Sequence, residues 1–474
     1  MRTFFQSRIL PVFLAVILLA CHLAPAGAVL EDSAAVTPPQ NEDGSWNSGL
    51  FTMPKLSPWE MVQLLENAPV SGTPDSPEAL FTIEPQVHAP YAPGIMREEW
   101  PQKAAARLSA LRNLAGLPEV TADPSLNENA QYGAVILAAL GELTHWPDPI
   151  ADMDEKFYAK ALEAVSSSNL YASLELLETP DGFMRDSDGS NVDRVGHRRW
   201  QLNPAMGKVG FGYALSDTPS PYSGYAYRRF TVEKVFDWSQ TVPDYNFIAW
   251  PASGAFPGPM MDDEWGTETA WSVSLNPRNF TPPDLSTVQV TLVRESDGFT
   301  WTFSGDQSYV PSSRGPYFNV DLEGYGVSNC IIFRPYAINA YEGRYTVTIQ
   351  GLTDRNRQPV EISYQVDFFD PDTVTPPEPS AAELSLVSTG WDGPDALTVS
   401  ASFGAAEPGQ YALVAAAYGP EGQLLAVKNT ALTEAEGQVS LTLTGCGEAA
   451  SVKAFLLTDA YLPADWDEWE LEQE

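Results

Sequence analysis

The spacing of apolar residues changes along the chain, and the change divides it. Between residues 97 and 140 they recur at helical intervals: Ala104, Leu108, Leu111 and Leu114 form one face, which Gly116 and Pro118 bring to an end. Asp123-Pro124 predicts the start of a second helix, an N-cap acid followed by proline in the first turn. Leu126, Ala130, Ala134 and Leu137 carry its apolar face towards Gly141, just past the expected end. A third helical pattern runs from Met153 to about Val165. Upstream, residues 29–95 are rich in Pro, Asp, Glu and Ser. There only the stretch from Ser57-Pro58-Trp59 to Glu66 predicts a helix, and the rest reads as an extended leader wrapping the next domain.

Beyond Pro204 the period shortens to two. Val209, Phe211 and Tyr213 alternate, as do Phe230, Val232 and, less cleanly, Val235. Helices and strands together predict an α/β sandwich over residues 96–255. From about Trp271 every pattern is a strand: Val288, Val290 and Leu292; Tyr345, Val347 and Ile349; Ile362, Tyr364, Val366 and Phe368. Short strands separated by Gly and Pro predict an Ig-like sandwich over 268–370. DPDTVTPPEPSAA supplies a Pro-rich linker over 371–382, and a second small β domain follows over 383–463. The acidic end, 464–474, reads as a tail. The expected class is therefore α+β, a helical and sheet domain followed by two small all-β domains.

A net charge of −36 argues against nucleic acid as a partner, since phosphates would be repelled. The N-terminus changes the picture more. Arg2 and Arg8 precede an apolar run from Ile9 to Ala20, the length of a signal-peptide core and short for a membrane span. Ala26-Gly27-Ala28 offers a cleavage site that would leave Val29 first. The alternative is Leu18-Leu19-Ala20-Cys21, which resembles a lipoprotein box with Cys21 as the lipidated residue. Either reading exports the protein, and no later stretch reaches membrane length. Cys330 and Cys446 then remain, in segments assigned to different domains, and are expected to be buried free thiols.

The chemistry concentrates in VGHRRWQLNPAMGKVGFG, residues 195–212, which holds one of only four histidines. Together with LSALRNLAGLPEVTADPSLNENAQYGAVILAALGELTHWP upstream, it resembles the CAP superfamily of cysteine-rich secretory, antigen 5 and pathogenesis-related-1 proteins, the bacterial secreted branch in particular. The resemblance covers residues 97 to 240. It implies a CAP-type α-β-α sandwich whose central cleft holds two histidines and two acids, which in some members bind zinc. His145 and His197 match the two histidines. The first acid belongs to a Gly-Glu-Asn triplet, and Ser167-Ser168-Asn169 stands in its place, with Ser168 where the glutamate is expected. Asp186 matches the second acid, through a looser alignment. The implied cleft is thus His145, His197, Ser168 and Asp186, a depleted set.

Read as chemistry, two histidines and a carboxylate could hold zinc with one position open to water, or stand as two imidazoles fixed by hydrogen bonds in a polar cleft. Arg198 and Arg199 either pair with Asp186, Asp188 or Asp193, or clamp an anion beside the cleft. Trp200 reads as a core residue and His88 as a structural one. Gly210 and Gly212 allow a close backbone approach to a strand. Trp238, Trp250 and Trp271 suit either a stacking surface for sugars or a joint between domains. No Gly-x-Ser-x-Gly, His-Glu-x-x-His or Walker-type loop is present.

The expected function is an exported ligand-binding or cell-envelope interaction protein, whose partner is an envelope component, an extracellular protein or a small ligand. The alternative is a metal-dependent hydrolase of peptide or peptidoglycan, with His145 and His197 as ligands and Asp186 or water as base. No cofactor is certain from the residues, and a weakly bound divalent metal such as zinc is the one they leave open.

Overall fold

Capping side chains at Ser57, Asp123 and Asp154 start three of the helices where the sequence writes them. The computed structural model describes residues 56–471 apart from 75, 219–227, 243–244, 262–268, 308, 376–381, 405–410, 421 and 459–462. Cys21 and the Ala28/Val29 cleavage site therefore lie outside the described residues. Helix α1 (Pro58–Asn67) opens on a capping box in which Ser57 and Glu60 each accept from the other's backbone. The short α2 (Pro77–Leu80) leads into β1 (Phe81–Ile83), which pairs antiparallel with β2 (Ile95–Met96). Next come α3 (Glu99–Leu114) and β3 (Thr121–Ala122). Asp123 caps α4 (Pro124–Leu140), which ends at Gly141 with φ 66°. Asp154 caps α5 (Glu155–Ser166), and β4 (Asn169–Ala172), α6 (Thr179–Arg185), α7 (Gly196–Gln201), β5 (Lys208–Leu215) and β6 (Arg229–Lys234) follow.

Strands β3, β5, β6 and β4 lie side by side in that order, antiparallel except for β3 with β5. One face turns Ala214, Phe230 and Val232 into a core with Ala134, Leu137, Phe157 and Ala161 of α4 and α5. The other turns Val209, Phe211 and Tyr213 against Ala104 and Leu108 of α3. The sheet is thus covered by helices on both sides. Gly210 and Gly212 face α4 at van der Waals limit: a Cβ on Gly212 would lie 2.2 Å from the Ala130 backbone.

The next strands form a sandwich. One sheet runs β11-β10-β14-β15-β8 and the other β12-β13-β9-β7. Their ranges are β7 (Phe247–Trp250), β8 (Gly254–Pro257), β9 (Trp271–Leu275), β10 (Gln289–Arg294), β11 (Phe299–Ser304), β12 (Tyr317–Asp321), β13 (Cys330–Arg334), β14 (Gly343–Thr353) and β15 (Pro359–Phe369). The expected boundary at residue 255 therefore moves: β7 and β8 pair with β9 and β15 and belong to the sandwich. Trp250 and Trp271 are buried in its core. That core also takes in Leu111 and Leu114 of α3, Met184 of α6 and Leu202. A single face of α3 thus serves two cores, its first half the helix-covered sheet and its second half the sandwich.

The chain divides between Thr375 and Pro376 into two compact units. The second is a further sandwich, with sheets β16-β17-β20 and β19-β18-β21-β22. These are β16 (Glu383–Trp391), β17 (Ala396–Gly404), β18 (Tyr411–Tyr418), β19 (Leu424–Leu432), β20 (Glu436–Thr444), β21 (Ser451–Thr458) and β22 (Pro463–Glu470). The last of these corrects the acidic tail expected over 464–474, most of which is strand. Asp465 and Asp467 accept from the backbone N–H groups of Leu384 (2.7 Å) and Leu386 (2.9 Å), so the acids close the edge of β16. Cys330 and Cys446 are free and buried. Among the described residues no helix is long and apolar enough to cross a membrane.

Candidate functional site

Helix α6 ends at Arg185, and Asp186 turns the chain with φ 40°. The connection returns through Val195, a buried β-branched residue held at φ 43°, directly before α7. A valine in that region is strained, and such strain persists only where the surroundings fix it. Across these two left-handed residues the chain brings His197 onto Asp186. The carboxylate Oδ1 accepts from the ring Nδ1 at 2.8 Å, and Oδ2 accepts from the backbone N–H of His197 (2.9 Å) and Arg198 (3.4 Å). Asp186 therefore caps α7 and orients its histidine at once, and Phe183 supports the ring at 5.2 Å between centroids. Burial disfavours the imidazolium, but the charge and hydrogen bond of Asp186 outweigh it and raise the His197 pKa.

His145 follows the end of α4 and reaches the far end of α5, where its Nδ1 lies 2.7 Å from the Val165 carbonyl. That carbonyl is one of the last four of its helix and has no partner within it. Ser168 performs the same service: its hydroxyl donates to the Ala164 carbonyl at 2.6 Å, buried. Partial burial lowers the His145 pKa, and the charges of His197 and Arg194 push the same way. His145 thus lies within electrostatic reach of His197. With Nδ1–H donated to a fixed acceptor in each ring, Nε2 is left as a lone-pair acceptor in the neutral form.

The donor set does not make a zinc centre. Both oxygens of Asp186 are engaged by α7 and its ring, and the Ser168 hydroxyl is turned to α5. Two imidazoles remain, fewer than the three or four protein ligands zinc takes. Among the described residues no three His, Cys, Asp or Glu side chains come together as ligands. The expected metal pair of His145 and His197 is therefore incomplete in this geometry, and Asp186 is an orienting group.

The arginines settle as structural. Arg198 is fully buried and donates to the carbonyls of Met184 (2.5 Å), Arg185 (2.6 Å) and Ala270 (2.7 Å). Arg199 bonds Asp321 at 2.6 Å and the carbonyls of Arg194, Glu323 and Val327. Both pin α7 to the neighbouring sandwich, so neither guanidinium is left to clamp an anion. Asp188 is taken up by Ser190 and Asn191, Asp193 by Arg194. Trp200 is half-buried against the sheet core and stacks on Phe236 at 3.9 Å; Trp238, beside them, is 60% exposed. His88 is exposed and meets Asp217 at 2.9 Å.

One group the sequence reading passed over lies beneath α7. Glu233 on β6 is fully buried, and its carboxylate accepts from Asn169 Nδ2 and Gln201 Nε2, each at 2.9 Å. Burial pushes its pKa up to about 7, against the pull of the two amides and of His197. The signal was available in Arg229–Lys234, where Thr231 and Glu233 alternate with Phe230 and Val232. In a sheet covered on both faces, the alternate position is also interior.

No protein-family model matches the chain, and no curated protein matches its sequence. Solved structures give slight likenesses. A DUF4785 family protein from Legionella pneumophila aligns at 14% identity with TM-score 0.16, over 54% of this chain and 63% of that one. A Salmonella alpha-2-macroglobulin mutant gives 15%, 0.17, 55% and 19%, and a two-domain fibronectin type-III segment of chicken tenascin 12%, 0.14, 44% and 94%. Likenesses this slight carry no argument about fold or activity.

Proposed function

We propose that the protein is an exported ligand-binding protein of the cell envelope, whose CAP-type cleft presents the Nε2 atoms of His145 and His197 to a ligand. The observation that carries this reading is the shared anchoring of the two rings, each held through Nδ1 by a fixed acceptor, Val165 carbonyl or Asp186 carboxylate. Supporting it are the helix-covered sheet, the left-handed backbone at Asp186 and Val195 that leads from one partner of the pair to the other, and the N-terminal apolar run. Two lone-pair acceptors in a chain of net charge −36 suit a ligand rich in hydroxyl or N–H donors and poor in negative charge. The β sandwiches then act as spacers or adhesive surfaces. Co-sedimentation with purified cell-wall sacculi tests this. The natural protein should pellet with them, and the His145→Ala/His197→Ala double variant should remain in solution; equal pelleting of both would sink the reading.

A hydrolase is the second reading, because a carboxylate-held imidazole with free Nε2 is also the geometry of a general base. Release of soluble muropeptides by the natural protein and not by His197→Ala would favour it.

A further inference from the structure

Glu233 occupies the middle of a row across the sheet, with Asn169 opposite on β4 and Phe211 opposite on β5. Among the described residues no cation bonds it. Its bonds are to neutral amides: Asn169 Nδ2 at 2.9 Å, and Gln201 Nε2 at 2.9 and 3.2 Å to the two oxygens. A buried carboxyl held only by amides is an expensive way to fill a core position that Val or Leu would fill at no such cost. Both amides, however, belong to the machinery that places His197. Asn169 Nδ2 also donates to the His197 backbone carbonyl at 3.3 Å. Gln201 lies four residues beyond His197 in α7, one turn along the same side of the helix.

We propose that Glu233 is a positioning residue of the cleft: through Asn169 and Gln201 it grips α7 from beneath, sets the place of the His197 ring, and its charge acts on that ring. The role deepens the proposed cleft and rests on that reading. The other charged groups nearby are already committed. Asp186 holds the ring itself, Asp188 and Arg194 bond within the loop before α7, and Arg198 and Arg199 turn to the sandwich. Arg107 and Asp181 bond each other, and Lys234 bonds Glu163 and Ser167. Gln201 Oε1 and Thr231 Oγ1, both buried on the Glu233 side, have no hydrogen-bond partner among the described residues. They give a proton on Glu233 a destination, because a turned Gln201 amide would accept from the carboxylic acid.

The test is Glu233→Gln, which keeps the shape and removes the charge. The ring titration of His197 is followed by long-range 1H–15N spectra, with the melting temperature measured alongside. The expected result is a His197 midpoint lowered by roughly half a pH unit or more, as loss of a nearby negative charge requires. A midpoint equal to the natural protein's, with only the melting temperature changed, would make Glu233 a packing residue and overturn the proposal. If the variant does not fold, glutamate labelled at the carboxyl carbon reports on the natural protein. The His197 curve should then bend at the pH where Glu233 titrates, and a His197 curve blind to that step overturns the proposal equally. Neither measurement uses a ligand, so this inference and the binding reading can fail separately.

Discussion

His145 and His197 differ in which side of their ordinary value they fall, and the difference is testable. Partial burial and neighbouring positive charge bring His145 below 6.5, while Asp186 holds His197 above it. Ring titrations should therefore separate, and Asp186→Asn should bring the His197 midpoint down past that of His145's ordinary value. The linkage to stability has opposite signs. The native state binds the His197 proton more tightly than the unfolded chain, so that contribution is full below pH 6.5 and is lost as pH rises through the raised midpoint. His145 behaves inversely and costs stability as pH falls below 6.5. Glu233 is an acid raised from 4.5 to about 7, so its native proton stabilises most below 4.5 and the contribution declines as pH rises to about 7. Urea midpoints of Glu233→Gln should lack that decline. Gly212 makes a different prediction. A methyl group there meets the α4 backbone, so Gly212→Ala should cost about 1–3 kcal/mol or more in urea unfolding, against a few tenths for exposed Gly390, which meets nothing.

At the scale of elements, the helices were legible because their ends are written in local chemistry. Asp123-Pro124 and Gly141 bound α4 in the sequence and in the structure alike. Asp186 beside His197 was legible only through resemblance, since eleven residues and two left-handed turns separate them. Glu233 was present in the alternation of Phe230, Thr231, Val232 and Glu233, but alternation shows period and not which faces are covered, so its burial emerged only with the helices on both sides of the sheet. The acidic end was misread for a related reason. Charge suggested solvent, yet Asp465 and Asp467 spend theirs on the edge amides of β16. Asp465→Ala and Asp467→Ala should each cost about 1 kcal/mol. Amide exchange at Leu384 and Leu386 should quicken, and exchange elsewhere in the sandwich should not.

For the whole molecule, the helix-covered sheet and the first sandwich share one core through Leu111, Leu114 and Met184, reinforced by Arg198 and Arg199. They should unfold together. Arg199→Ala leaves Asp321 and three carbonyls without their donor and should cost about 3 kcal/mol, visible as a lowered single transition in calorimetry for this unit. The C-terminal sandwich, beyond the division at Thr375, should melt independently, and limited proteolysis should cut first within residues 371–382. A resistant fragment spanning that segment would contradict the division.

The central claim is that His145 and His197 share one cleft and offer it their Nε2 atoms. Zinc is a suitable probe even though two imidazoles make a poor site for it. Stepwise zinc addition at pH 8, followed by ring 15N spectra, should shift Nε2 of both histidines together over the same concentration range, in fast exchange, while Nδ1 stays protonated. Shifts confined to one ring, a proton found on Nε2 of either, or tight stoichiometric binding would contradict it.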